Sequence, residues 1–254
     1  MDDSYKIDLY TELCIGEIVE YNDLSRLIES AIIKHGVSLS SDTLLAIDVS
    51  GNKATDCKTL IINYSGLPIL TCRTSRELLK EFSKRCIYSH EMMAAIVNLS
   101  QRKKFRKFPV MAFETLFMLY DSCKRNDTTF VNVCHIDNLT PRKNCQLPYL
   151  TFTNGLEIST PFNYRSVKNK IWCAASCYVY FFASEMAILE QSHVKKIILE
   201  NWHGRYVREN TQKVNKLLEG VNYRDFDFFK SAIHGRQYLA DRSLFDKWHD
   251  IMFL

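Results

Sequence analysis

Apolar positions recur with two different periods along this chain. In "DLSRLIESAIIKHG", residues 23–36, Leu24, Leu27, Ile28, Ala31 and Ile32 share one helical face, and Gly36 follows where a C-terminal cap is expected. The runs "TLLAIDV", "TLIINY" and "PILTC" then predict three strands, separated by the turn residues of "SGNKATD" and "SGL". "SRELLKEFSKRC" and "SHEMMAAIVNLS" read as helices with Ser75 and Ser89 as N-caps. "VMAFETLFMLY" and "TTFVNVCHI" return to strand character, although the alternation around Phe113, Leu116, Met118 and Tyr120 is imperfect.

The stretch "YLTFTNGLEIST" predicts a hairpin, and its facing pairs choose the loop length. A two-residue loop at Asn154-Gly155 sets Phe152 against Glu157 and Leu150 against Ser159, mixing apolar with polar side chains. A three-residue loop, Thr153-Asn154-Gly155, sets Phe152 against Leu156 and Leu150 against Ile158, with Thr151 and Glu157 on the wet face. A one-residue slip moves every side chain to the other face, so the pattern selects the longer loop. It implies a type I turn with Gly155 left-handed in a bulge.

Beyond Pro161, Ser166 is placed to cap a helix running through Trp172 and Phe181 to about Gln191. Its core, "IWCAASCYVYFFASEMAIL", is apolar but interrupted by Ser176, Ser184 and Glu185, which predicts a buried helix rather than a membrane span. From residue 195 onward the pattern is mainly helical: "VKKIILENWHGRYV", "TQKVNKLLEG", "FDFFKSAI" and "RSLFDKWHDIMF", punctuated by Gly204, Gly220 and Gly235. The expected fold is α+β, with a central antiparallel sheet, a helical N-terminal segment and a largely helical C-terminal part.

The 254 residues are 46% hydrophobic and 24% charged, enough to bury a sizeable core. The acidic start "MDDSYKIDLY" lacks the apolar segment of an export signal. Nine scattered cysteines without a C-x-x-C fit free thiols in a reducing cytoplasm. The net charge of +4 hides an asymmetry: residues 1–60 carry eleven acids against five bases, whereas residues 73–107 carry ten bases against three acids. A local basic block on a nearly neutral chain is a candidate anion-binding surface.

No dinucleotide, P-loop, nucleophile-elbow or zinc-protease motif is present, and no two of the seven histidines stand at a helical ligand spacing. Cys134 and His135 are adjacent in an expected strand, which would point them to opposite faces. No catalytic residue, metal or cofactor is expected. The densest charge lies in "QRKKFRKF", where Arg102, Lys103, Lys104, Arg106 and Lys107 surround Phe105 and Phe108, with Lys84 and Arg85 as an extension of the patch. Taken alone, this stretch fits either a solvated loop beside a strand or a phosphate-binding surface. "VKNK" and "VKKI" add charge elsewhere without obvious clustering.

At "LTFTNGLEISTPFNYRSVKNKIW" the chain resembles the ComK family of bacterial competence transcription factors. Phe152, Asn154-Gly155, Pro161, Tyr164, Ser166 and Asn169 fall where that family shows an F-x-N-G hairpin and a P-x-x-Y-x-S helix entry. "FPVMAFETLFML" and "FVNVCHIDNL" are similar to its preceding strands, so the likeness runs from about residue 60 to 185. The interval between "CRTSRELL" and "FPVMAF" is longer than in that family and holds the basic stretch. The resemblance implies an α+β domain over residues 1–192 with an acidic N-terminal extension, followed by a helical region over 193–254. It implies a cytoplasmic, homo-oligomeric activator that binds double-stranded A/T-rich DNA largely through the minor groove, switches on DNA-uptake genes and is subject to an adaptor and protease. The proposed contacts are Arg102, Lys103, Lys104, Arg106 and Lys107, then Lys84 and Arg85. The alternative is a regulatory interaction protein that keeps the fold without binding DNA.

Overall fold

The computed structural model describes residues 3–86, 109–112, 114–119, 128–142, 147–185 and 191–219. Helix α1 (Asp3–Gly16), strand β1 (Ile18–Val19), helix α2 (Ser25–Ser30) and strand β2 (Ile32–Ile33) precede strands β3 (Thr43–Asp48), β4 (Thr59–Asn63) and β5 (Ile69–Thr71). Helix α3 (Ser75–Arg85) and strands β6 (Val110–Ala112), β7 (Thr115–Leu119) and β8 (Phe130–Asn132) follow. A single 3-10 turn, Val133–His135, leads into β9 (Ile136–Thr140), β10 (Tyr149–Phe152) and β11 (Glu157–Ser159). Helices α4 (Tyr164–Glu185), α5 (Gln191–Glu200), α6 (Arg205–Arg208) and α7 (Thr211–Glu219) close the described chain.

The fold is α+β, but its strands form two sheets rather than one. The larger has the order β2-β5-β4-β3-β8-β7-β6 and the smaller β1-β11-β10-β9. Within each, one edge strand is parallel, β2 to β5 and β1 to β11, and the other pairings are antiparallel. Both faces of the large sheet are covered. Ala46, Ile61, Phe117 and Phe130 pack with Leu78 and Phe82 of α3, the Phe82 and Phe117 rings meeting edge to face at 5.2 Å. Leu45, Ile47, Leu60, Ile62, Leu116 and Met118 point the other way, into the core shared with α4 and the small sheet. Double coverage is why "LLAI" and "LII" read as unbroken apolar runs instead of alternating. Val194, Ile198, Trp202, Val207, Val214 and Leu218 of the C-terminal helices join that same core.

The helix expected over residues 23–36 is shorter than its periodicity. α2 ends at Ser30, Ala31 turns extended, and Ile32–Ile33 pair with β5, the Ile32 and Lys34 N–H groups donating to the Pro68 and Leu70 carbonyls at 2.9 Å. Two adjacent β-branched residues beside an open strand edge prefer the ladder to another helical turn. The residues of "VMAFETLFMLY" form two strands, with Met111 opposite Leu116, rather than one. Two caps also move. Thr74, not Ser75, caps α3, and the Asn163 carboxamide, not Ser166, caps α4 by accepting from the Ser166 N–H at 2.9 Å.

The hairpin has the expected register. Leu150 faces Ile158 and Thr151 faces Glu157, while the Phe152 N–H donates to the Leu156 carbonyl at 2.9 Å. The Gly155 N–H closes the turn onto the Phe152 carbonyl at 2.9 Å, and Gly155 has φ +90°. Leu150, Phe152, Leu156 and Ile158 are buried. The predicted helices over 89–100, 226–233 and 242–253 lie outside the described residues.

Candidate nucleic-acid interface

Helix α3 sorts its charges by what each one holds. The Thr74 hydroxyl accepts from the Glu77 N–H at 3.2 Å and the Glu77 carboxylate accepts from the Thr74 N–H at 2.8 Å, a capping box. Those bonds hold the Glu77 carboxyl below its usual range. Arg73 pairs with Glu81 and donates to the Val37 carbonyl at 3.0 Å, and the Glu81 carboxyl is lowered mainly by that arginine. Both acids of the helix, Glu77 and Glu81, are thus engaged.

Arg76, Lys80 and Lys84 are exposed and recur every four residues, so they form a stripe along one outer face. None of the three has an acidic partner among the described residues. Of the expected contacts, Lys84 belongs to this stripe. Arg85 is turned toward the core edge, donating to the Leu39 carbonyl at 2.8 Å with its guanidinium 5.8 Å from the Phe82 ring centre. Arg102, Lys103, Lys104, Arg106 and Lys107 lie outside the described residues. Arg76 and Lys80 were legible in "SRELLKEFSK", where they share the four-residue spacing of Lys84.

A second cationic surface joins elements far apart in the chain, on the α4 side of the large sheet. The Lys213 ammonium of α7 sits 3.7 Å from the Trp172 ring centre of α4, and the Lys168 ammonium 5.7 Å from that of Tyr164. Tyr206 of α6 lies against Trp172 at 6.4 Å. Burial pushes the Tyr206 hydroxyl up to about 12, with the Tyr164 hydroxyl beside it adding to the effect. Desolvation against the protein, then the Lys168 charge, lowers the Lys213 ammonium. "VKNK" contributes Lys168 one turn from Tyr164, whereas no local spacing reveals the contact of Lys213 with Trp172.

The Cys134-His135 pair corrects a further expectation, because it lies in the 3-10 turn where the chain passes from the large sheet to the small one. Asn132 fixes that turn: its side-chain oxygen accepts from the Leu116 and Cys134 N–H groups, and its amide donates to the Thr43 carbonyl at 3.0 Å. The Gly204 N–H donates to the Cys134 carbonyl at 2.7 Å and the Trp202 indole to that of Val133 at 3.2 Å. His135 Nε2 lies 2.8 Å from the Ser41 carbonyl, which can only accept, so this nitrogen carries hydrogen; Nδ1 meets the Thr153 hydroxyl at 3.0 Å. Its ring stacks on His203 with centres 4.8 Å apart. Burial chiefly lowers the His135 pKa, and burial raises the Cys134 thiol well above its ordinary value. A raised thiol is the opposite of what a thiolate nucleophile requires. Among the described residues, no cluster of three His, Cys, Asp or Glu could hold a metal ion, and no helix is long and apolar enough to cross a membrane.

No protein-family model matches the chain, and neither a curated protein nor a solved structure matches it.

Proposed function

We propose that this chain binds duplex DNA, with preference for A/T-rich sites, and acts in the cytoplasm as an oligomeric transcriptional activator of the ComK type. The observation that carries the reading is the outer face of α3. Arg76, Lys80 and Lys84 project there while the neighbouring acids are consumed by the capping box and by Arg73. Eight residues of helix rise span about 12 Å, a length over which duplex DNA presents about seven phosphates. Narrow A-tract minor grooves concentrate negative potential and favour inserted Arg and Lys side chains. In this reading Arg102, Lys103, Lys104, Arg106 and Lys107, which follow α3 in the chain, extend the contact. The hairpin and α4, which carry the family likeness, are scaffold.

The test is fluorescence-anisotropy titration of A/T-rich and G/C-rich duplexes at several salt concentrations. Tighter binding to the A/T-rich duplex is expected, with an affinity that falls steeply as salt rises. The triple variant R76Q/K80Q/K84Q is expected to flatten the plot of log affinity against log salt by about 0.9 for each phosphate it no longer neutralises, with an unchanged melting temperature. Absence of binding at low salt, or equal binding to both duplexes, would overturn the reading.

A further inference from the structure

Three features of the surface made by α4, α6 and α7 belong together. First, Tyr164, Lys168 and Trp172 recur every four residues along α4 and so share one face, where the Lys168 ammonium lies 5.7 Å from the Tyr164 ring centre and the Lys213 ammonium of α7 3.7 Å from that of Trp172. Second, neither lysine has an acidic partner among the described residues. Third, the Tyr206 and Tyr164 hydroxyls stand in the same cluster as potential donors.

Holding two like charges together costs free energy, and aromatic faces compensate only in part, by about 0.5–1 kcal/mol at exposed sites. An anion offering several oxygens to both ammonium groups removes the repulsion. A carboxylate brings one charge and two oxygens, whereas a phosphate brings three or more oxygens and up to two charges, matching the pair. Lysine suits this role as a compact point charge. Burial chiefly, and then the Lys168 charge, lowers the Lys213 ammonium.

We propose that Lys168 and Lys213, flanked by Trp172, Tyr164 and Tyr206, form a phosphate-binding site. The site lies on the α4 side of the large sheet and is separate from the α3 stripe, so it stands or falls apart from the DNA reading. The phosphate comes either from a nucleic-acid backbone or from a free phosphate group.

Lysine acetylation rates, read peptide by peptide by mass spectrometry on the folded full chain, test this directly. The arms are chloride, inorganic phosphate at matched ionic strength and pH, and an A/T-rich duplex, with exposed Lys53 as reference. Bound phosphate is expected to slow Lys168 and Lys213 by about tenfold, the change in free amine for one unit of pKa, and to leave Lys53 unchanged. Protection by both ligands assigns the site to a phosphate group as such; protection by the duplex alone assigns it to the phosphodiester backbone. In K213Q the protection of Lys168 is expected to disappear. Rates unchanged by both ligands overturn the site, even if the duplex binds elsewhere. So does full protection of Lys168 in K213Q.

Discussion

Gly155 answers to two constraints at once. Its φ of +90° is the left-handed conformation the bulged turn requires, and a Cβ there would lie 2.6 Å from the Cys14 carbonyl oxygen of α1. Gly66 has φ +82° with nothing within 4 Å of the same position, and Gly51 has neither constraint. Gly155→Ala is therefore expected to cost more than Gly66→Ala, which carries only a strained backbone of order 1–3 kcal/mol, while Gly51→Ala stays near zero. Urea denaturation of the three variants checks the ranking, and equal losses at Gly155 and Gly66 would remove the contact with α1 from the account. His135 sets a pH dependence. Its folded pKa lies below the unfolded value of 6.5, so below pH 6.5 the unfolded chain binds the extra proton. Its contribution is intact above pH 6.5 and is lost as pH falls from there toward the folded value. The carboxyls of Glu20, Asp137 and Glu81 are lowered from values of 4.5 or less and act in a more acidic window. His135→Gln is expected to flatten the loss of stability between pH 7 and pH 5.5 in urea titrations.

Helix ends show how one position decides which residue does the capping. Thr74 is extended at φ −72°, ψ 150° and caps α3, whereas Ser75 is already helical and buried, its hydroxyl donating to the Thr128 carbonyl at 2.6 Å. Thr74→Ala is expected to cost about 1 kcal/mol through removal of the cap. Ser75→Ala costs about 1–3 kcal/mol by leaving buried Thr128 backbone groups unpaired. At α4, Asn163→Ala is expected to cost about 1 kcal/mol and Ser166→Ala within about 0.5 kcal/mol. Thermal melts of the four variants separate these mechanisms, and a larger loss at Ser166 than at Asn163 would contradict the cap geometry. Helical spacing alone lines up Arg76, Lys80 and Lys84 in the α3 stripe.

Across the whole molecule, the large sheet keeps its two cationic surfaces apart, α3 on one face and α4 with its companions on the other. Three acids of the N-terminal segment are paired internally: Glu12 and Glu17 bind Arg26, and Glu20 binds Arg142 at 2.7 Å. These surface ion pairs add little to stability, and their effect is to decide which charges remain available. Salt dependence is the matching observable. If α3 and the Lys168–Lys213 pair act separately, R76Q/K80Q/K84Q and K213Q are expected to change different readouts, the duplex salt slope and phosphate protection respectively.

Features whose partners are close along the chain are legible in the order of residues. The strands β3 to β5, the helix α3 and the hairpin register follow from spacing and facing pairs over a few residues, because a one-residue slip would exchange buried for wet side chains. Features that need a remote partner arise only when the chain folds. Ile32–Ile33 become strand because β5 offers a parallel edge, and Cys134-His135 become a 3-10 turn because Asn132 binds three segments there. Asn154-Gly155 serves the turn and also docks α1, the Asn154 amide donating to the Tyr10 hydroxyl at 3.1 Å. Lys213 meets Trp172 because α4 and α7 share a core. Local spacing carries no record of such contacts, since their free energy arises only once the chain has brought distant surfaces together.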